Sequence, residues 1–300
     1  MGNPAENFPP PTASYEARPE DVHRVLLLYS GGLDTSVMLK WIQDSYEAEV
    51  VCLTVNLGQP GEDYEVISEK ALRLGALECH VVDAREEFAK EYVVPAIKAN
   101  ALYGGGYPLF TALGRPLIAK LAVDYARRSG CDTIAHGCTG KGNDQVRIEA
   151  TVATLAPELK TIAPVRSWQM GREEEIAYAR EHGIPVKGGT EIAPYSIDDN
   201  LWGRSSEGRW IEELDHAPED DVFQLVCRPE LAPDEAEVVE VAAGEHELVA
   251  EAQAATANGD AVGVEGVAKR LVEAIDPQLP AVDRDENLDV GDRVDPVVGG

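Results

Sequence analysis

One heptad, Ser30-Gly31-Gly32-Leu33-Asp34-Thr35-Ser36, constrains this chain more than any other feature. It stands between a continuous apolar run over residues 24–30 and a helical pattern from about Thr35 to Tyr46. A run that is apolar at every position reads as a strand covered on both faces. In the helix, Val37, Met38, Trp41 and Ile42 recur at i, i+1, i+4 and i+5 and so share one side. Two adjacent glycines let the backbone approach a ligand and turn its amides inward, forming an anion-binding concavity. The helix N-terminus adds free N–H groups and a partial positive charge. Ser30, Thr35 and Ser36 add hydroxyl donors for phosphate oxygens. The GxxxxGK[ST] spacing of a Walker A loop is missing. Asp34 reads as a helix cap or as a carboxylate on the magnesium side of a phosphate, two roles that do not exclude each other. The competing reading of the heptad is a plain strand–turn–helix connection.

Further strands are expected at 49–55, 77–82, 131–136 and 160–163, with helices at about 64–74, 84–101, 111–128 and 172–182. Alternation of this kind argues for the α/β class, a doubly wound parallel sheet with helices on both faces. Ligands of such folds gather at the carboxyl ends of the strands. Residues 183–222 read as loop-rich, and the acidic last eighty residues offer one helix, at about 264–275. The expected organisation is a flexible arm over 1–23, a nucleotide-binding domain over 24–190, a smaller, partial second domain over 191–275 and a disordered acidic tail over 276–300.

Charge narrows the partners. Asp+Glu number 54 against 26 Lys+Arg, a formal charge of −28, while 44% hydrophobic residues suffice for a core. Such a chain repels phosphate backbones and anionic lipid, so no nucleic-acid or membrane-surface partner is expected. Apolar runs fall far short of the roughly 20 residues of a spanning helix. The N-terminal residues carry no signal-peptide pattern, and Glu6 breaks the myristoylation pattern. Five scattered cysteines (52, 79, 131, 138, 227) suit a reducing, cytoplasmic setting. Cys131, His136 and Cys138 lack a CxxC pair and a second half-site, so no metal centre is read there. The acid is spread along the whole chain, which points to a halophilic protein, since molar salt cuts the Debye length to about 3 Å.

A second motif follows the strand at 131–136: His136-Gly137-Cys138-Thr139-Gly140-Lys141-Gly142-Asn143-Asp144-Gln145-Val146-Arg147. Three glycines free the backbone, and Lys141 offers a charge to phosphate. Asn143, Asp144 and Arg147 offer an amide, a carboxylate and a guanidinium within five residues. That mixture suits a zwitterionic substrate, Arg gripping a carboxylate and Asp an ammonium. A flexible turn opening a helix is the plainer alternative. The run Tyr103-Gly104-Gly105-Gly106-Tyr107 reads equally as a mobile lid or as a flexible loop.

The heptad resembles the pyrophosphate loop of the N-type ATP pyrophosphatases. Together with the 136–147 motif, Asn56-Leu57-Gly58-Gln59, Ala101-Leu102-Tyr103, Arg115-Pro116, Ile162-Ala163-Pro164, His182-Gly183-Ile184-Pro185 and Tyr195 to Leu201, it makes residues 24–215 similar to the argininosuccinate synthase family. The resemblance implies an adenine nucleotide alpha hydrolase-like fold and a ligase that joins citrulline and aspartate through a citrullyl-adenylate in arginine biosynthesis. It implies ATP and Mg2+ as cofactors and a homotetramer. Leu28, Tyr29, Ser30, Gly31, Gly32, Leu33, Asp34, Thr35, Ser36, Val55 and Gly137 would hold ATP. Tyr107, Arg147, Ser196 and Ser205 would hold citrulline, and Thr139, Asn143 and Asp144 aspartate. Asp34, Arg115 and Asp144 are the candidates for catalysis. Ala112 stands where the family usually has Ser, and the Glu and Tyr that complete the citrulline site in the family have no counterpart after about residue 228. The alternatives are a nucleotide-binding paralogue without ligase activity and another ATP pyrophosphatase. A tRNA thiolase would want a basic face and paired cysteines, and an amidotransferase a glutaminase Cys-His site; neither pattern is found here.

Overall fold

Five parallel strands form the central sheet: β1 (Arg24–Leu28), β2 (Glu49–Asn56), β3 (Glu78–Asp83), β4 (Thr133–Ala135) and β5 (Lys160–Ile162). Their spatial order is β3-β2-β1-β4-β5. This computed structural model describes residues 17–140, 142–168, 170–185, 195–208, 211, 213–219 and 222. Most of the N-terminal arm, Lys141, the 264–275 helix and the 276–300 tail lie outside the described residues.

The apolar run at 24–28 becomes a central strand because both of its faces are covered. Val25 and Leu27 point into one core with Val50 and Cys52, and Leu26 into the other with Val51, Leu53 and Ile134. On the first face lie α1 (Leu33–Tyr46) and α2 (Tyr64–Arg73), flanked by α7 (Pro164–Ser167) and α8 (Arg172–Glu181). The opposite face carries α3 (Arg85–Phe88), α5 (Gly114–Arg128) and α6 (Asp144–Leu155). A π-helical turn, Ala89–Val93, joins α3 to α4 (Val94–Lys98). Parallel strands need crossovers, and their consistent hand deposits helices on both faces.

The helical stretch expected over 84–101 runs from 85 to 98 and contains that π turn. The helix expected from Thr35 begins two residues earlier, at Leu33, and the one expected from 111 begins at Gly114. In the acidic first turn of α8, Glu175 is buried, while Glu174 accepts a hydrogen bond from the Gly171 N–H at 2.5 Å.

Two further elements stand outside the strands and helices expected by range, the first of them the plainer alternative for the second motif. The 136–147 motif opens a full helix, α6, that packs on α5. The stretch read as loops contains a hairpin, β6 (Ser196–Asp199) with β7 (Arg204–Glu207). Its turn is anchored in the core between the sheet and α5. Leu201 is fully buried among Leu57, Phe88 and Leu117, and its N–H donates to Leu57 O at 2.8 Å. Asn200 Nδ2 donates to Phe110 O at 2.8 Å, and Asn200 Oδ1 accepts from the Trp202 and Gly203 amides. Trp202 donates its indole N–H to Pro108 O at 3.0 Å. A Cβ on Gly58 would lie 2.8 Å from Leu201 Cβ, and one on Gly203 would run into the Phe110 ring. Close backbone approach, rather than turn geometry alone, requires glycine at both positions.

Candidate active site

Strand order reverses between β1 and β4, the topological switch point at which sheets of this class open a crevice. The two motifs follow these two strands. The residue after each strand is still held to the sheet: the Tyr29 N–H donates to Leu53 O at 2.9 Å, and the His136 N–H to Ile162 O at 3.1 Å. The chain therefore leaves the sheet at fixed points on either side of the crevice.

On the β1 side, Gly31 adopts φ +76°, and Gly32 caps α1 in extended conformation. Ser30 and Gly32 are exposed, and the Ser30 hydroxyl lies 3.1 Å from that of Thr35. Beneath them the loop is braced from inside. Thr54 Oγ1 donates to Tyr29 O at 2.7 Å, Tyr29 and Ser36 hydroxyls meet at 3.1 Å, and Ser36 Oγ donates to Gly32 O at 2.6 Å. Burial pushes the Tyr29 phenol up to about 12.

Not every residue expected at the nucleotide faces the crevice with its side chain. Ser36 is fully buried and spends its hydroxyl on the loop backbone, so it shapes the loop instead of offering a phosphate donor. Tyr29 is buried for the same purpose. Leu28 and Val55 pack in the α5 core, and Leu33 packs with Val37, Ala179 and Ile184. Asp34 is not the helix cap, because Gly32 occupies that position; Asp34 is exposed in the first turn of α1.

On the β4 side, Gly137 is so close to α1 that a Cβ would lie 2.9 Å from Met38 Cε. His136 is buried behind it. Its Nδ1 accepts the Cys138 N–H at 3.2 Å, and its Nε2 faces Glu149 Oε1 at 3.2 Å. Glu149 also takes Arg166 Nη2. The His136 hydrogen bond, with Arg166, holds the Glu149 carboxyl below its ordinary range. Both nitrogens of His136 are thus engaged in holding the loop. Burial pushes the Cys138 thiol up to about 11. Thr139 and Asn143 are exposed, and Asn143 starts α6 without spending its side chain on a cap.

The charged residues form one chain of contacts. Arg115 Nε donates to Asp144 Oδ2 at 2.8 Å and Arg115 Nη2 to Asp198 Oδ2 at 2.6 Å. Arg147 Nη1 donates to the other Asp144 oxygen at 2.7 Å. Burial alone would lower the Arg115 pKa, but Asp198 and Asp144 outweigh it and raise it. Burial would likewise raise Asp144, yet Arg115 and Arg147 hold its carboxyl low. Asp144 and Arg147, read as separate binders of ammonium and carboxylate, are therefore paired with each other. Ser205 lies opposite Asp198 in the hairpin register, so the two share the face turned to Arg115. Ser196 opens the same strand, and its side chain lies outside the described residues. Tyr107 closes the 103–107 loop by paired backbone bonds to Tyr103 and meets Phe110 edge-on at 5.7 Å. Ala112 is buried ahead of α5 and presents no hydroxyl.

The sequence reading did not single out Asp198 or Lys70, whose Nζ donates to Gly31 O at 2.8 Å. Asp198 is 83 positions from its partner Arg115, and no periodicity reports such a contact.

Residues 24–185, more than half of the chain, match the family model described as the arginosuccinate synthase N-terminal HUP domain. The chain belongs to the argininosuccinate synthase family. Residues 195–255 match the C-terminal domain of that family, so the Leu201 anchor and the Arg115–Asp198 pair join the two matched stretches. An argininosuccinate synthase from Rubrobacter xylanophilus is 62% identical over 218 residues, covering 73% of this chain and 53% of that protein. One from Chlorobium phaeobacteroides is 53% identical over 219 residues, covering 73% and 54%. The chain spans about half the length of these curated relatives. A solved U34-tRNA thiolase from Methanococcus maripaludis, 17% identical, covers 58% of this chain and 60% of its own at a TM-score of 0.37, too loose a likeness to carry an argument.

Proposed function

We propose that this chain catalyses, or supplies the nucleotide-binding half for, the ATP-dependent joining of citrulline and aspartate to argininosuccinate. The observation that carries the reading is that the Ser30–Ser36 loop and the His136–Arg147 motif follow the two neighbouring strands, β1 and β4, between which the strand order reverses. The ureido oxygen of citrulline attacks the α-phosphorus of ATP, the bond to pyrophosphate breaks, and citrullyl-adenylate forms. The aspartate amine then displaces AMP and loses a proton. No covalent bond to the protein is needed, so catalysis rests on alignment and on charge stabilisation.

Ser30 and the amides of the glycine loop bind the departing pyrophosphate, with the α1 dipole behind them. The exposed Asp34 carboxylate at the mouth of the loop has the oxygen donor type that Mg2+ takes, and the ion would neutralise developing charge on the phosphates. Gly137 lies against the nucleotide. Thr139, Asn143 and Asp144 hold aspartate, whereas Tyr107, Arg147, Ser196 and Ser205 hold citrulline. Substrate ammonium and carboxylate groups would exchange into the Asp144–Arg147 pair, and Arg115 keeps Asp144 oriented while they do so. The domain division near 190, a cytoplasmic setting, a halophilic surface and a tetrameric assembly belong to the same reading. The free thiols of Cys52, Cys79, Cys131 and Cys138 support the reducing compartment.

The buried Ala112, without a hydroxyl, favours a second reading, in which the chain binds nucleotide without ligating. Product assays on the 300-residue chain separate the two. Pyrophosphate release that requires citrulline, and argininosuccinate formation when aspartate is added, supports the ligase. Binding of a non-hydrolysable ATP analogue with no turnover supports the paralogue, and no nucleotide binding at all overturns both.

A further inference from the structure

The glycine loop does not hold its shape alone. Gly31 lies against α2: a Cβ there would sit 2.8 Å from Ile67 Cγ1, and Lys70 Nζ reaches the Gly31 carbonyl at 2.8 Å. Ile67 and Lys70, three residues apart, share one side of the helix. Asp63 caps that helix by accepting the Val66 N–H at 3.1 Å, which fixes where the side begins.

The carbonyl of Gly31 and the N–H of Gly32 belong to one peptide unit. No peptide in the described chain is cis, and across a planar trans peptide these two groups point in opposite directions. A group that captures the carbonyl therefore aims the amide. The Gly32 N–H faces the exposed Ser30 Oγ at 3.4 Å, a long contact that an anionic oxygen would replace with a shorter one. With φ near +76° and no side chain, Gly31 opposes rotation of this unit only weakly.

We propose that Lys70 is a positioning residue for the pyrophosphate loop: by drawing the Gly31 carbonyl toward α2, it turns the Gly32 N–H into the crevice where the phosphate tail binds. This assignment rests on the reading of residues 30–36 as a pyrophosphate site and adds α2 to the machinery of that site. Ile67 sets the depth of the loop, and Lys70 sets the tilt of its peptide plane.

The test uses inorganic pyrophosphate on the full chain, with wild type, Lys70→Met and Lys70→Arg compared by calorimetry and by melting temperature. Selective 13C′/15N-glycine labelling isolates the few Gly–Gly peptides and reports the Gly32 amide directly. In wild type, pyrophosphate shifts the Gly32 amide. In K70M the affinity falls about tenfold, as for a lost charge-assisted hydrogen bond. There the Gly32 response disappears with the melting temperature unchanged, and K70R recovers most of both. Should K70M fail to fold, Lys70→Gln carries the same comparison. Unchanged affinity in K70M overturns the assignment and leaves the pyrophosphate site standing. A lower affinity with the Gly32 response intact also overturns it, because Lys70 would then touch phosphate itself. Absence of pyrophosphate binding by wild type defeats the site and the assignment together.

Discussion

Asp144 carries two guanidiniums on its two oxygens, and its ionisation is correspondingly tied to the fold. Burial works against the charged carboxyl, but Arg115 and then Arg147 outweigh it, so its folded pKa lies below the unfolded value. A carboxyl shifted in that direction adds stability that is complete above the ordinary carboxylate range near pH 4 and fades as pH falls through the depressed value. Asp144→Asn is expected to cost about 1–3 kcal/mol at pH 7. The gap between variant and wild type should close as urea unfolding is repeated below pH 4, whereas parallel curves at every pH would refute the link. The same residue shows where reading a sequence stops. Its chemistry, a carboxylate beside an arginine at a helix start, was visible in the motif. Its partnership with Arg115, 29 positions away, was not, and neither was the inward turn of the Ser36 hydroxyl. Side-chain direction depends on neighbours that a local pattern does not contain.

Among the elements, legibility followed hydrophobic pattern. Strands β1 and β2 are apolar along nearly their whole length, and α1 is buried at Val37, Met38, Leu39 and Ile42, between the sheet and α8; all three were readable within two residues at each end. The hairpin was not, because Ser-Ile-Asp-Asp and Arg-Ser-Ser-Glu carry no apolar alternation. What holds it is its turn. Leu201 fills a place in the core between the sheet and α5, with Asn200 and Trp202 tied to backbone carbonyls beside it. Leu201→Ala should therefore cost about 2–5 kcal/mol, the range for a buried leucine emptied to a cavity. Because Ser205 and Asp198 ride on that hairpin, citrulline-dependent pyrophosphate release should fall further than pyrophosphate affinity does. Equal losses of the two would show that the hairpin does not serve the amino-acid side separately. Sequence alone marked Asn56-Leu57-Gly58 and Tyr195 to Leu201 as two notable runs, and the fold shows why they belong together: one receives the other.

For the whole molecule, the charge of −28 sets the conditions under which the fold is comfortable. Ion pairs such as Arg24–Glu49, Arg127–Glu158 and Lys120–Glu87 are exposed and individually weak, and they engage only a fraction of the 54 acids. Self-repulsion among the remainder falls as salt shortens the Debye length from about 10 Å at 0.1 M to about 3 Å at 1 M. The urea midpoint should rise as KCl is increased across that range, and a midpoint that dropped would show that these ion pairs outweigh the repulsion. Electrostatics of this long-range kind is legible from composition, since it depends on totals more than on geometry.

The buried seat of Leu201 also bears on how the chain can be divided. Severed between residues 185 and 195, the first piece would carry an unfilled place in the cluster of Leu57, Phe88 and Leu117, and the second would lose the buried anchor at its turn together with the ties of Asn200, Trp202 and Asp198. The two stretches behave as plug and socket, so an insertion or a fusion at that junction must preserve the reach from Pro185 to Leu201.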